Sequence, residues 1–263
     1  MTEDRHDRSG WGELLDRRTA AGLEWARWAV ERWSAFPVDE NPRPLVLVES
    51  RVRVERGFTT GPAKLAFVDG RVESTIKLPE EVMEPLRRRG HPARSVGGEP
   101  LMIHAGALEE IEFLTDRGPQ RLPAWRLSAQ DALGAIWALD PDVADWKPAT
   151  DAAPGPPKVQ GPGHRGGMPV EVGQDDRSIL VHWLGGAPSF VRYPSAEVVE
   201  SSTAVAVVPV GEDIGPPGPR TAVGYVHRVP AALSEPLRGR VLIDLNGNPQ
   251  QALRQTDLLH SAT

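Results

Sequence analysis

The chain contains no cysteine. Disulfides, thiolate-bound zinc, iron–sulfur clusters and cysteine nucleophiles are therefore excluded. Aromatic residues are scarce, at 6% of the chain, and tryptophan supplies 8 of them. No apolar run approaches the ~20 residues that a membrane-spanning helix needs. The start, Met1 to Gly10, is charged and lacks the apolar core of a signal peptide. These absences predict a soluble, cytoplasmic protein without a transmembrane segment. Basic charge is also in deficit: the net charge is −6, which argues against general nucleic-acid binding while leaving room for a local basic patch.

What is abundant is punctuation. Glycine and proline number 26 each, so loops and turns must be plentiful. At 263 residues the chain has room for one large domain or two ordinary ones. Residues 11–36 read as one amphipathic helix ended by Pro37. Glu13, Arg17, Glu24, Arg27 and Glu31 form a charged stripe, and Leu15, Trp25, Ala29 and Phe36 lie on the other side. Trp25, Trp28 and Trp33 are too many large rings for one buried face. Packing on the protein's own body, a partner helix and a second copy of the chain are the alternatives.

Beyond a proline-rich link at Val38–Pro44, Leu45–Val54 reads as a strand. Ala63–Val68 and Arg71–Leu78 flank Asp69-Gly70, a hairpin signal. Pro79–Arg89 reads as a short helix, with Glu80 and Glu81 in its first turn and Pro85 inside it. Leu101–His104 and Leu108–Leu114 read as strands, and Leu127–Leu139 as strand, turn, strand. Asp140–Gly167 is rich in proline and glycine and reads as a linker. Further strands are expected at Met168–Val172, Ser178–Leu184, Val198–Val210, Thr221–Val229 and Arg240–Leu245, with a loose tail from Gln250.

The resulting expectation is an α+β, β-rich fold: two antiparallel-sheet lobes with an N-terminal amphipathic helix. The helix covers 1–37, a first β-rich domain 38–140, the linker 141–167 and a second β-rich domain 168–263. An internal echo bears on this. Val48-Glu49-Ser50 recurs as Val199-Glu200-Ser201, and Glu84-Pro85-Leu86-Arg87 as Glu235-Pro236-Leu237-Arg238, both displaced by 151 residues. Duplication predicts that 45–90 and 196–241 fold alike; chance is the alternative.

Chemistry is sparse. None of the seven histidines stands in a metal-binding spacing, so neither a metal nor a cofactor is expected. No serine lies in Gly-x-Ser-x-Gly, and no Gly-x-Gly-x-x-Gly follows a strand. Two arginine clusters stand out. Arg87, Arg88 and Arg89, with His91 and Arg94 behind them, suit either a helix C-terminus or a site for phosphate or an acidic partner. Arg117, Arg121 and Arg126 accompany Asp116 in the stretch Thr115–Arg126. That stretch reads as a rigid polar loop braced by Asp–Arg pairing, with Trp125 as its buried anchor. Asp116, Arg117, Arg121, Arg87 and Arg88 are the candidate binding residues.

Thr115-Asp116-Arg117-Gly118-Pro119, Leu122-Pro123-Ala124-Trp125-Arg126 and Leu139-Asp140-Pro141 together resemble a family of uncharacterised proteins from high-GC Gram-positive bacteria. The segment from Glu200-Ser201 through Pro236-Leu237-Arg238-Gly239-Arg240-Val241-Leu242-Ile243-Asp244 is similar to them too. The resemblance covers about half the chain. It implies a two-part β-rich fold and brings no catalytic residue with it.

Two functions remain. The first is a non-catalytic binding or protein-interaction module, whose partner is a protein or a small anionic ligand, with self-association through the N-terminal helix as a further option. The second is a hydrolase-type enzyme with dispersed residues, for which Asp116, His104, Asp244 and His182 are the first suspects. The enzyme question leans to no. A histidine within hydrogen-bond reach of a carboxylate on a pocket floor would favour the enzyme. Both arginine clusters on one surface would favour anion recognition.

Overall fold

The structure is a computed structural model that describes residues 10–88, 98–148, 170–216, 218, 220 and 223–254. Most of the expected linker, and with it Arg89, His91 and Arg94, lies outside the described residues. The elements run α1 (Gly10–Arg32), β1 (Val52–Val54), α2 (Gly61–Val68), β2 (Val72–Ser74), α3 (Glu80–Arg87), β3 (Leu101–Thr115), β4 (Gly118–Ala129) and β5 (Ile136–Leu139). Then follow β6 (Val170–Val172), β7 (Ser178–Gly185), β8 (Val191–Glu200), β9 (Ala204–Asp213), β10 (Tyr225–Ala232), β11 (Val241–Ile243) and β12 (Ala252–Arg254). The fold is α+β and β-rich, with α1 at its start. No helix among the described residues is long and apolar enough to cross a membrane.

Contacts divide the chain into two compact units, and not at one point in the sequence. The first joins 1–48 and 115–118 to 146–263; the second comprises 49–114 and 119–145. The N-terminal helix thus shares a core with the C-terminal strands, because its apolar face needs a sheet and finds one there. The sheets are mixed, where antiparallel ones were expected. Each ends on a parallel pairing: β2 with β3, β11 with β9, and β12 with β6. Parallel neighbours need crossovers, and α3 supplies one between β2 and β3.

In the first unit α1 covers one face of the sheet β11-β9-β8, and the sheet β10-β7-β6-β12 covers the other. Strand β9 is the middle layer. Its Ala204, Ala206 and Val208 face α1, while Val205 and Val207 face the second sheet. A strand buried on both faces reads as an unbroken apolar run, as Ala204–Val208 does. Small residues let α1 approach closely: a Cβ on Gly22 would sit 2.8 Å from Val208. The helix packs through Leu15, Gly22, Ala26, Ala29 and Val30, and Glu24, Arg27 and Glu31 are exposed. Trp25, expected in the core, is half-buried against Trp28, while Trp33 and Phe36 are buried beyond the helix end.

In the second unit α2 and α3 bury Ala66, Phe67, Val82 and Leu86 against Ile103, Leu127 and Ile136 of the sheet β1-β5-β4-β3-β2. The expected hairpin at Asp69-Gly70 is instead the end of α2. Thr60 caps its start by accepting from the Ala63 N–H at 3.2 Å. At its end Arg71 N–H donates to Ala66 and Gly70 N–H to Phe67, with Gly70 at φ 70°. That is a Schellman stop, which wants glycine at the same place as a hairpin turn does. The helix expected at 79–89 is present as α3, and β4–turn–β5 is as expected.

The stretch expected to be a rigid loop is mostly strand. Only Asp116 and Arg117 turn; Gly118, at φ 101°, takes the left-handed position that hairpin turns give to glycine. Pro119 and Pro123 fit because β4 pairs with β5 only from Ala124 to Leu127, so neither proline withholds a ladder N–H from β5. Trp125, expected buried, is half-buried against the second unit's core. The duplication is not there. Val48 lies in a bend and Val199 in β8; Glu84–Arg87 is helical, whereas Glu235–Arg238 is a turn with Arg238 at φ 46°. Val198–Val210 is two strands with a turn at Ser201–Thr203, and the tail contains β12.

The turn before β7 makes a pH-dependent contact. Asp175 accepts from the Ser178 hydroxyl at 2.6 Å, the Ser178 N–H at 2.8 Å and the Arg177 N–H at 3.0 Å. These bonds, the hydroxyl's first, lower its pKa from 3.8 to about 2. A depressed folded value contributes stability that is present above 3.8 and lost as pH falls through about 2. NMR titration of the Asp175 carboxyl should give a midpoint near 2, and Ser178→Ala should raise it. A midpoint unchanged by Ser178→Ala would show that the hydroxyl does not hold the carboxylate.

Candidate functional site

Those arginines singled out by sequence that lie among the described residues are matched to local carboxylates. Arg87 pairs with Glu80 at 2.6 Å within α3, and Arg88, the residue just after it, with Glu84 at 2.5 Å. Arg121 approaches Glu110 at 3.7 Å and Arg126 approaches Glu109 at 3.9 Å. The expected brace of Asp116 is of a different kind. Its Oδ2 takes a 2.6 Å bond from Arg43, far back in sequence, and Arg117 stands 4.0 Å from its Oδ1. Asp116 is therefore a buried structural anchor inside the first unit, and Arg117 projects outward.

The four enzyme suspects hold separate posts. Asp244 accepts from Asn246 N–H, Asn248 N–H and the Asn248 side chain, which makes it the brace of its own turn. His104 is exposed on β3. His182 lies 3.6 Å from Glu171, and Glu171 also binds Arg228 at 3.0 Å. On β7, His182 alternates with the buried Ile179 and Val181 and so stands on the outer face, away from the core. Among the described residues no group of acids and histidines is disposed to hold a metal.

A cavity lies elsewhere in the first unit, where the start of α1 meets the end of β7. Its volume is about 550 Å³, within the range of small-molecule sites. Its walls include Trp11, Leu15 and Arg18 of α1, Gly185 and Gly186 at the end of β7, Phe190, Tyr193 of β8, and Arg220. Glycine shapes it. A Cβ on Gly185 would lie 2.4 Å from the Tyr193 ring, and one on Gly215 would lie 2.4 Å from Phe190. Both rings thus rest directly on backbone. Tyr193 also meets the His227 ring edge-on at 4.8 Å, and His227 Nε2 bonds the Gly186 carbonyl at 2.6 Å.

The electrostatics are specific. Arg220 is held by Asp213 at 2.5 Å, both side chains being almost wholly buried. Its guanidinium sits 4.8 Å from the Trp11 ring and 5.3 Å from the Phe190 ring. Its Nε and Nη1 are buried with no hydrogen-bond partner among the described residues. Arg18 also has a buried, unpartnered Nε, and no carboxylate among the described residues pairs with it. Burial pushes the Tyr193 phenol above its ordinary value of 10, against opposing hydrogen bonds from Trp183 and the Gly186 backbone and the charge of Arg18. Tyr193 is therefore neutral at pH 7 and remains a hydroxyl.

Two other cavities each hold an arginine that is paired or bonded and whose Nε is likewise without a partner among the described residues, but neither has an aromatic wall. One of about 500 Å³ in the first unit has Arg240 bound to Glu200 at 2.6 Å. One of about 630 Å³ in the second unit has Arg71 bonded to the Glu99 carbonyl at 3.0 Å and 3.5 Å from Asp69. Sequence reading missed Arg18, Tyr193 and Arg220, which come from distant segments. The one local signal was Gly185-Gly186, which reads as a turn and is also a surface for an aromatic ring. No protein-family profile matches this chain, and neither does any curated protein or solved structure.

Proposed function

We propose that this protein is a non-catalytic binding protein and that the cavity beside Gly185-Gly186 is its ligand site. The observation that carries this is a half-enclosed space of about 550 Å³ walled by three aromatic rings and two arginines with unpartnered N–H groups. Apolar walls with a few oriented polar groups are what small-molecule sites present. Desolvated guanidinium N–H groups without acceptors are costly unless something binds there. The residues that a hydrolase would need are engaged in bracing turns and sheet surfaces instead. Localisation in the cytoplasm accords with this reading.

Ala187 lines the cavity and its carbonyl accepts from Phe190 and Val191, a role any residue's backbone can fill. Ala187→Trp should therefore fill the space without breaking the turn. In a thermal-shift screen of metabolite-sized compounds, hits should raise the Tm of the wild type and leave that of Ala187→Trp unmoved. Mass spectrometry should recover the hits chemically unchanged. Hits that stabilise Ala187→Trp equally, or that return converted, would defeat the proposal.

A further inference from the structure

Resting on that reading, we infer that the ligand is a small monocarboxylate with a flat apolar body, its carboxylate placed at Arg18 and its body against the rings. The charge balance selects a monoanion. Arg220 is compensated by Asp213 at 2.5 Å, so it supports the wall and adds no net charge. Tyr193 stays neutral, its phenol raised by burial. Arg18 is left as one positive charge with no carboxylate paired to it among the described residues. A single carboxylate cancels it; a phosphate dianion would bring a second negative charge toward the neighbourhood of Asp213.

The hydrogen-bond inventory agrees. Tyr193 lines the cavity as a neutral phenol. Its own O–H then serves as a donor. Arg18 and Tyr193 both line the cavity. A guanidinium and a hydroxyl donor side by side are complementary to a carboxylate. The body is assigned from the walls. Trp11, at the rim and 37% exposed, and Phe190 already lie against the Arg220 cation, and the Tyr193 ring rests on Gly185. Such surfaces favour an aromatic plane over a flexible chain, since ring pairs add attraction beyond area burial.

The test is isothermal titration of the full chain with three probes that share one ring system: 2-naphthoate, neutral 2-naphthalenemethanol and dianionic 2-naphthyl phosphate. The carboxylate should bind most tightly. Arg18→Gln should weaken it roughly ten- to a hundred-fold while leaving the alcohol nearly unchanged. Arg18→Lys should recover part of the loss. Equal binding of carboxylate and alcohol, a preference for the phosphate, or indifference to Arg18→Gln would overturn the monocarboxylate and leave the pocket reading standing. If none of the three binds, or if all bind Ala187→Trp as they bind the wild type, the inference and the reading fall together.

Discussion

Replacing Asp116 with alanine should lower stability by roughly 3–5 kcal/mol, the loss expected when one partner of a buried ion pair is removed. The side chains of Arg43 and Asp116 are only 10% and 4% exposed, and their contact is 2.6 Å. Arg43 cannot swing to water when its partner goes. Its Nε donates to the Gly239 carbonyl at 2.7 Å, and its guanidinium lies 4.7 Å from the Phe36 ring. The charge would stay buried and unpaired. The backbone of Asp116 is independent of this: its N–H bonds Val46 at 3.0 Å and its carbonyl accepts from Ala252 at 3.2 Å. The turn should persist, so the loss measures charge rather than collapse. Arg117→Ala should cost about 1 kcal/mol or less, since that side chain is 43% exposed and 4.0 Å from its carboxylate. Urea unfolding separates the two. The paired change Arg43→Met with Asp116→Leu should cost less than the sum of the single changes, because it removes the buried charge with its partner. An Asp116→Ala variant within about 0.5 kcal/mol of wild type would show the pair to be unimportant.

Legibility in the sequence followed the range of the interactions. Helix α3 was readable because Pro79, Glu80 and Glu81 are all local signals. Helix α2 was misread because Asp69-Gly70 suits two structures: glycine's left-handed conformation serves a hairpin turn and a Schellman stop alike. Thr60 and Pro62 were the signs of a helix start that a hairpin reading leaves unused. Strand β4 was misread because Pro119 and Pro123 argue against a strand only where a neighbour needs their N–H, and β5 ends before them. The pairing of β12 with β6 was invisible because three residues of tail carry no period. The partner of Asp116 was invisible for another reason: Arg43 lies 73 residues away, and charges nearer in sequence offered themselves first. The cavity was the least legible feature. Arg18, Tyr193 and Arg220 meet through the layering of α1, β8 and the segment after β9, and no periodicity encodes that meeting.

Truncation of Trp33 tests the layering itself. Trp33→Ala should cost roughly 3–5 kcal/mol, as expected for a wholly buried aromatic side chain. The ring is 1% exposed. It lies just beyond α1, 5.8 Å from Phe36 and 4.8 Å from Trp146, and those two rings meet at 5.1 Å. Its indole N–H donates to the Gly247 carbonyl at 2.9 Å, in the turn that Asp244 braces. That turn carries Gly247 at φ 81°, a conformation that ties its backbone to glycine. One side chain thus joins the end of the helix to the turn after β11. Trp33→Phe separates the two contributions. It keeps most of the apolar contact but leaves the Gly247 carbonyl without its donor, at about 1–3 kcal/mol. Trp25→Ala is the control. Sequence placed Trp25 in the core, whereas the structure leaves it half-buried beside Trp28, so its truncation should cost clearly less. Chemical denaturation of the three variants ranks them as Trp33→Ala, then Trp33→Phe, then wild type, with Trp25→Ala well short of Trp33→Ala. If Trp25→Ala proves as damaging as Trp33→Ala, then α1 meets its sheet through a different face, and the close approach of Gly22 to Val208 is not the contact that sets the layers.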